Sequence, residues 1–257
     1  MTPVLYVSHG APLFALDPGF SGAALQAFAE GLETQPKAVV IMSPHWMPRS
    51  PTVMTSAQPA TLHDFGGFPE ALYQLHYPAP GAPALAAQVI DLLGQAGIAA
   101  AGDAQRPLDH GAWVPLMHLF SDARVPVLQV ALPQRAGPRE VYAMGAALQS
   151  LRAQGVLLMG SGGMTHNLGE FAGPGVPTAP YVLEFSRWVE AQIAQGDMQA
   201  LWDYRQRAPH AQRAHPSEDH FLPLFFALGA GGAGSVAHYL SREVLYGMLA
   251  MDSFYLQ

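Results

Sequence analysis

The chain has 257 residues, half of them hydrophobic and only 12% charged, with a formal net charge of −7. That balance excludes a disordered chain, and 12 Lys and Arg with no basic stripe exclude a nucleic-acid partner. No apolar run approaches the length needed to cross a bilayer, and the lack of cysteine excludes disulfides and thiolate metal sites.

The first strand is predicted at Val4 to Val7 and runs out into Ser8-His9-Gly10. It starts too early, and without a basic flank, for a secretory leader, so cytoplasm is the expected location. Leu25, Phe28, Ala29 and Leu32 recur at helical spacing. A second strand over Ala38 to Ser43 ends in Pro44-His45-Trp46. Residues 44 to 82 then read as one long loop, with Pro and Gly clustered around His63-Asp64-Phe65-Gly66-Gly67-Phe68-Pro69. A loop of that length is usually a wall or lid of a site.

Pro83 opens a helix with an apolar face of Leu85, Val89, Leu92 and Leu93, and Gly97 marks its end. Asp109-His110 precedes a helix over Ala112 to Phe120, in which His118 reads as packing. Pro126 to Ala131 is a further strand, and Pro138 starts a helix carrying Val141, Met144, Leu148 and Leu151. The strand at Val156 to Met159 feeds a glycine-rich turn, Gly160-Ser-Gly-Gly-Met-Thr-His166. Ser217 is the predicted N-cap of a last helix bearing Phe221, Leu224, Phe225 and Leu228, and Val244 to Leu256 supplies a final strand. The alternation predicts a single α/β domain over residues 1–257, with a mostly parallel central sheet flanked by helices. No pattern sets an oligomeric state.

In open α/β sheets the ligand crevice lies just beyond the carboxyl ends of the strands. His9 and His45 follow buried strands at once, so their backbones are held as ligand geometry requires. The competing reading is a pair of core histidines satisfied by backbone groups. His220, next to Glu218 and Asp219, falls in the predicted first turn of the last helix, where a neutral, metal-bound imidazole avoids the penalty a cation would meet. Glu218 and Asp219 need no role there beyond the helix dipole. His166 leaves a turn that lets backbone approach a ligand, and suits acid/base work. Asp109 is a candidate to orient His110, and His63 on the loop either touches substrate or caps the loop. His76, His210, His215 and His238 read as surface or loop residues. There is no P-loop, no zincin motif, and no nucleophile elbow at Ser8 or Ser161.

Taken together, these segments resemble the class III extradiol ring-cleavage dioxygenases, specifically the 4,5-DOPA dioxygenase family. The matching pieces are Ser-His9-Gly-Ala-Pro, Ser-Pro-His45-Trp, His63-Asp-Phe-Gly-Gly-Phe-Pro, Tyr77-Pro-Ala-Pro-Gly81, Leu108-Asp-His110-Gly-Ala-Trp-Val-Pro-Leu, Gly160-Ser-Gly-Gly-Met-Thr-His166-Asn-Leu and Glu218-Asp-His220-Phe-Leu-Pro-Leu. They run in one order from residue 8 to residue 224. The resemblance implies a non-haem Fe(2+) site that binds a catechol and dioxygen, held by His9, His45 and His220. His166 would be the acid/base near the metal, with a further metal contact in the absence of substrate left open, and His110 would help orient substrate or oxygen. The segment before His110 departs from the family in carrying Arg106-Pro107 where a glycine is common.

Three neutral histidines also resemble a zinc site, so purified protein can carry Zn(2+). Glu218 in place of His220 would restore the ordinary two-histidine, one-carboxylate set. Two other readings stay open at this point, a zinc hydrolase with a metal-activated water and a non-catalytic member of the same superfamily that binds metal or peptide.

Overall fold

The computed structural model describes residues 1–257. The strands are β1 (Val4–Ser8), β2 (Ala38–Ser43), β3 (Thr52–Met54), β4 (Ala101–Asp103), β5 (Val127–Ala131), β6 (Val156–Gly162), β7 (Ala237–Ser241), β8 (Val244–Leu245), β9 (Leu249–Ala250) and β10 (Ser253–Leu256). The helices are α1 (Gly19–Glu30), α2 (Glu70–Tyr73), α3 (Pro83–Gln95), α4 (His110–Leu119), α5 (Pro138–Ala147), α6 (Pro180–Gln195), α7 (Met198–Trp202), α8 (Tyr204–Arg207), α9 (Ala211–Ala214) and α10 (Pro223–Gly231). No helix is long and apolar enough to cross a membrane.

One eight-stranded sheet has the order β4-β3-β5-β2-β6-β1-β10-β7. Its centre, β5-β2-β6-β1, is parallel, and antiparallel pairings occur only towards the two ends. Both faces are covered, which is why the central strands read as unbroken apolar runs rather than as alternating ones. Side chains still alternate between two cores. Val4 and Tyr6 of β1, Val40 and Met42 of β2, and Leu158 of β6 join the core packed by α3, α5, α6 and α10. Leu5, Val7, Val39, Ile41, Leu157 and Met159 face the opposite core, with α1 and α4.

Four local expectations change, the first being that Val244 to Leu256 is not one strand but β8 and β9, which pair with each other in a second sheet, and β10. Residues 44 to 82 are not one loop, since they contain β3 and α2. The short β3 escaped notice because only three residues carry it. Gly160, Ser161 and Gly162 belong to β6 and not to a turn. They lie in strand conformation because backbone crosses them closely: a Cβ at Gly160 would stand 2.1 Å from the Pro223 carbonyl, and one at Gly162 would stand 2.2 Å from that of His220. The last helix begins at Pro223, not after Ser217. Residues 218–222 instead form a turn in which Phe221 and Leu222 both donate to the Glu218 carbonyl.

Helices α5 and α10 touch through glycine. A Cβ at Gly145 would lie 2.0 Å from the Phe226 carbonyl, and one at Gly229 2.0 Å from that of Tyr142. Gly145→Ala is therefore expected to force the pair apart and cost about 1–3 kcal/mol. A thermal melt should fall by several degrees, and an unchanged melting point would show that the contact has slack.

Candidate metal centre

The site grows from three neighbouring strands, β2, β6 and β1, all ending on the same side of the sheet. His9 follows β1, and its amide donates to the Gly162 carbonyl at the end of β6 (3.0 Å). His45 lies two residues past β2, its amide 3.3 Å from the Ser43 hydroxyl. His220 arrives from the turn before α10 and is pinned to the end of β6, with the Gly163 amide donating to its carbonyl (2.8 Å). Each of these three histidines offers a ring nitrogen, and all three nitrogens lie within 4.8 Å of one another.

The outer contacts decide which nitrogen faces inward. Ser161 donates its hydroxyl to the Gly111 carbonyl, so it can only accept from His9 Nδ1–H, 3.0 Å away. Asp219 accepts from His220 Nδ1–H at 2.6 Å. Asp64 Oδ2 faces His45 Nδ1 at 3.6 Å. His9 and His220 therefore carry their protons outward and leave their Nε2 atoms free as donors to an ion, and the Asp64 carboxylate near His45 Nδ1 favours the same arrangement there without a hydrogen bond to fix it. His9 Nε2 and His45 Nε2 stand only 3.1 Å apart. In the metal-free protein one of the two can donate an N–H to the other; with both protons on Nδ1, two lone pairs at that distance repel unless a cation lies between them. A proton is a poor candidate. Burial pushes the pKa of His9 well below its usual value, with neighbouring histidines adding to the effect. Burial likewise lowers His45 to about 4 and His220 to about 3. The donor set, three neutral imidazoles with oriented lone pairs, fits a divalent metal ion.

Two further histidines border the cluster. The His166 ring stacks on His220 with centroids 3.5 Å apart and planes 4° from parallel. Its position is held by its amide, which donates to the Ala214 carbonyl (2.8 Å). Burial lowers its pKa, with Asp219 opposing. His110 is the first residue of α4, and its ring centroid is 3.9 Å from that of His45. Gly111 lets α4 come this close. A Cβ there would lie 2.3 Å from Ser43 Oγ and 2.8 Å from His45 Cδ2.

A family model described as the catalytic LigB subunit of aromatic ring-opening dioxygenase matches residues 5–250. The chain belongs to that family. Among curated relatives of the LigB-family chain is the 4,5-DOPA dioxygenase extradiol of Beta vulgaris, 36% identical, covering 97% of this chain and 94% of the relative. Another is the 4,5-DOPA dioxygenase extradiol of Escherichia coli K12, 34% identical, covering 89% of this chain and 84% of the relative. The crystal structure of an uncharacterized Escherichia coli K12 protein superposes with a TM-score of 0.84 at 28% identity, covering all of both chains. The chain is thus an extradiol ring-cleavage dioxygenase rather than a hydrolase or a binding module.

Within this LigB-family site, several residues differ from expectation. The carboxylate on His110 is not Asp109 but Asp64, whose Oδ1 accepts from both His110 Nδ1 (2.9 Å) and the His110 amide (3.0 Å). Asp109 is fully buried below the site, where it caps α4 and binds Ser43, Arg106 and Gln129. Arg106, the departure from the family pattern, donates to the His45 carbonyl (3.2 Å) and to Asp109 (2.7 Å). Asp219, read as a helix-dipole residue, instead orients His220. Glu218 turns away from the cluster, accepting from the Tyr204 hydroxyl (2.9 Å). His63 lies one layer out: Phe65 separates it from His110, and its Nε2 is bonded to the Leu75 carbonyl (3.0 Å). His215 is not at the surface. It is wholly buried, with Nε2 on the Met164 carbonyl (2.9 Å).

Sequence reasoning missed Asp64, Asp219 and Ser161 as partners of site histidines. The one local signal was that Asp219 adjoins His220, and adjacency alone does not show that two side chains meet. Ser161→Ala is expected to lower metal affinity by about 10–100-fold, the usual effect of losing an outer-sphere partner. Titration with a metal-sensitive dye would read this, and unchanged affinity would remove Ser161 from the site.

Proposed function

We propose that this enzyme opens the aromatic ring of a catechol of DOPA-like type beside its diol. Ferrous iron would be held by His9, His45 and His220, His166 would act as acid/base, and His110 would help orient substrate or oxygen. The observation that carries the reading is the convergence of three buried or half-buried imidazole nitrogens, with His9 Nε2 and His45 Nε2 3.1 Å apart. The names of the curated relatives support the substrate class.

In the overall reaction, dioxygen takes four electrons from the catechol. The carbon–carbon bond next to the diol breaks, and both oxygen atoms enter the product as a carboxylate and a carbonyl. Iron, when bound, supplies the electron exchange between diol and dioxygen; zinc has no accessible redox change and would fill the same ligands without supporting it. The ligand set adds no negative charge of its own, which favours a catechol that has lost both hydroxyl protons. His166 suits the removal of one of them, because burial lowers its pKa and so holds the imidazole in its unprotonated, proton-accepting form. Its stacking on His220 supports a role beside the proposed ligand set. His63, with its Nε2 engaged on Leu75, would shape the substrate wall through the aromatic cluster of Phe65, Tyr73 and Trp113.

Anaerobic loading with Fe(2+), then addition of a catechol panel and air, tests the reading. A yellow product formed with equimolar oxygen uptake only when iron is present is the expected result. No uptake with any catechol would overturn it.

A further inference from the structure

Asp64 stands on the long connection between β2 and α3, yet its carboxylate reaches two histidines of the site. Oδ1 accepts the His110 amide and His110 Nδ1–H, and Oδ2 lies 3.6 Å from His45 Nδ1. With Nδ1 committed, the other edge of the His110 imidazole, Nε2, makes no hydrogen bond to the protein. The next residue, Phe65, sets its ring edge-on against His110, with centroids 5.6 Å apart. The connection and the imidazole are therefore fastened together at two consecutive residues.

We propose that Asp64 is a positioning residue for ring cleavage: its carboxylate fixes His110 as the Nδ1–H tautomer and aims Nε2 into the site. The same group steadies the outward edge of His45, so one carboxylate serves a metal ligand and its neighbour. What His110 then does for the substrate rests on the catechol reading above; the tautomer does not. The chief rival is that Asp64 itself ligates a metal, because His45, Asp64 and His110 also offer nitrogens and oxygens within 4.8 Å of one another. That rival would use Oδ2, the oxygen that His110 leaves free, together with a deprotonated nitrogen of His45 or His110.

The first test needs neither metal nor activity. Ring nitrogen NMR of the metal-free protein, with His110 signals identified by their loss in His110→Gln, should show His110 with its proton on Nδ1. In Asp64→Asn the same signals should move to a mixture of tautomers. A wild-type His110 protonated on Nε2 overturns the proposal. The second test uses the iron-loaded enzyme. Asp64→Asn should keep the metal content of the parent and its KM, and lose about 10–100-fold in kcat. Asp64→Glu should recover part of that loss. A lower metal content in Asp64→Asn would favour the ligand rival, a raised KM with unchanged kcat would make Asp64 a wall residue only, and a wild-type kcat would leave it no role. If no catechol is turned over by the parent enzyme, the proposed substrate fails while the tautomer result still decides the role of Asp64.

Discussion

His45→Ala is expected to leave a folded protein that no longer retains metal. His45 is the best of the three proposed ligands to remove, since its side chain is 20% exposed and its loss opens no sealed cavity. His9, by contrast, is fully enclosed, and its loss would disturb packing at the end of β1. Without His45, the His9 lone pair has no partner at 3.1 Å, and two imidazoles remain where the metal needs three fixed donors. Losing an outer-sphere partner costs about 10–100-fold, so losing a ligand should exceed that range. Metal analysis after loading and desalting should find the variant at background, with its thermal melt close to that of the parent. A variant that holds as much metal as the parent would remove His45 from the ligand set.

His166→Ala should give the opposite pattern. His166 touches His220 face to face and makes no side-chain hydrogen bond to the protein, so metal content should persist. Turnover should fall by about 10²–10⁴-fold, the usual share of a positioned acid or base. Because the deficit is in proton transfer and not in binding, it should appear in kcat with KM little altered. Added imidazole that enters the vacated space should restore part of the rate. Normal turnover in the variant would mean that proton removal is done elsewhere, and His110 would be the next group to test.

The sheet was legible because its central strands are buried on both faces and so announce themselves as apolar runs. Val4 to Val7, Ala38 to Ser43 and Val156 to Met159 all fall within strands of the structure. The histidines at their ends were legible for the same reason, because position relative to a strand needs only the local pattern. What the local pattern omits is what arrives from elsewhere in the chain. Asp64 and His110 are 46 residues apart, and Ser161 and His9 are 152 apart. The glycines of β6 misled because Gly160 and Gly162 look like turn residues. Their purpose is the close approach of the Pro223 and His220 backbone, which no neighbouring residue reveals. His215 looked superficial for a similar reason, since it sits in a polar stretch and is buried against Phe185 and Phe221 from elsewhere in the chain.

The pairing of β1 has a consequence for how the protein is made. This first strand lies inside the sheet, with Val4 opposite Leu158 of β6 on one side and Leu256 of β10 on the other. At about 5–20 residues per second, synthesis leaves the strand without its second neighbour for roughly ten to fifty seconds. An apolar strand with a bare edge is an invitation to pair with other chains, so shielding on the ribosome should govern the yield of active protein. His9 follows that same strand, so the proposed metal site is complete only after the strand's neighbours have been made.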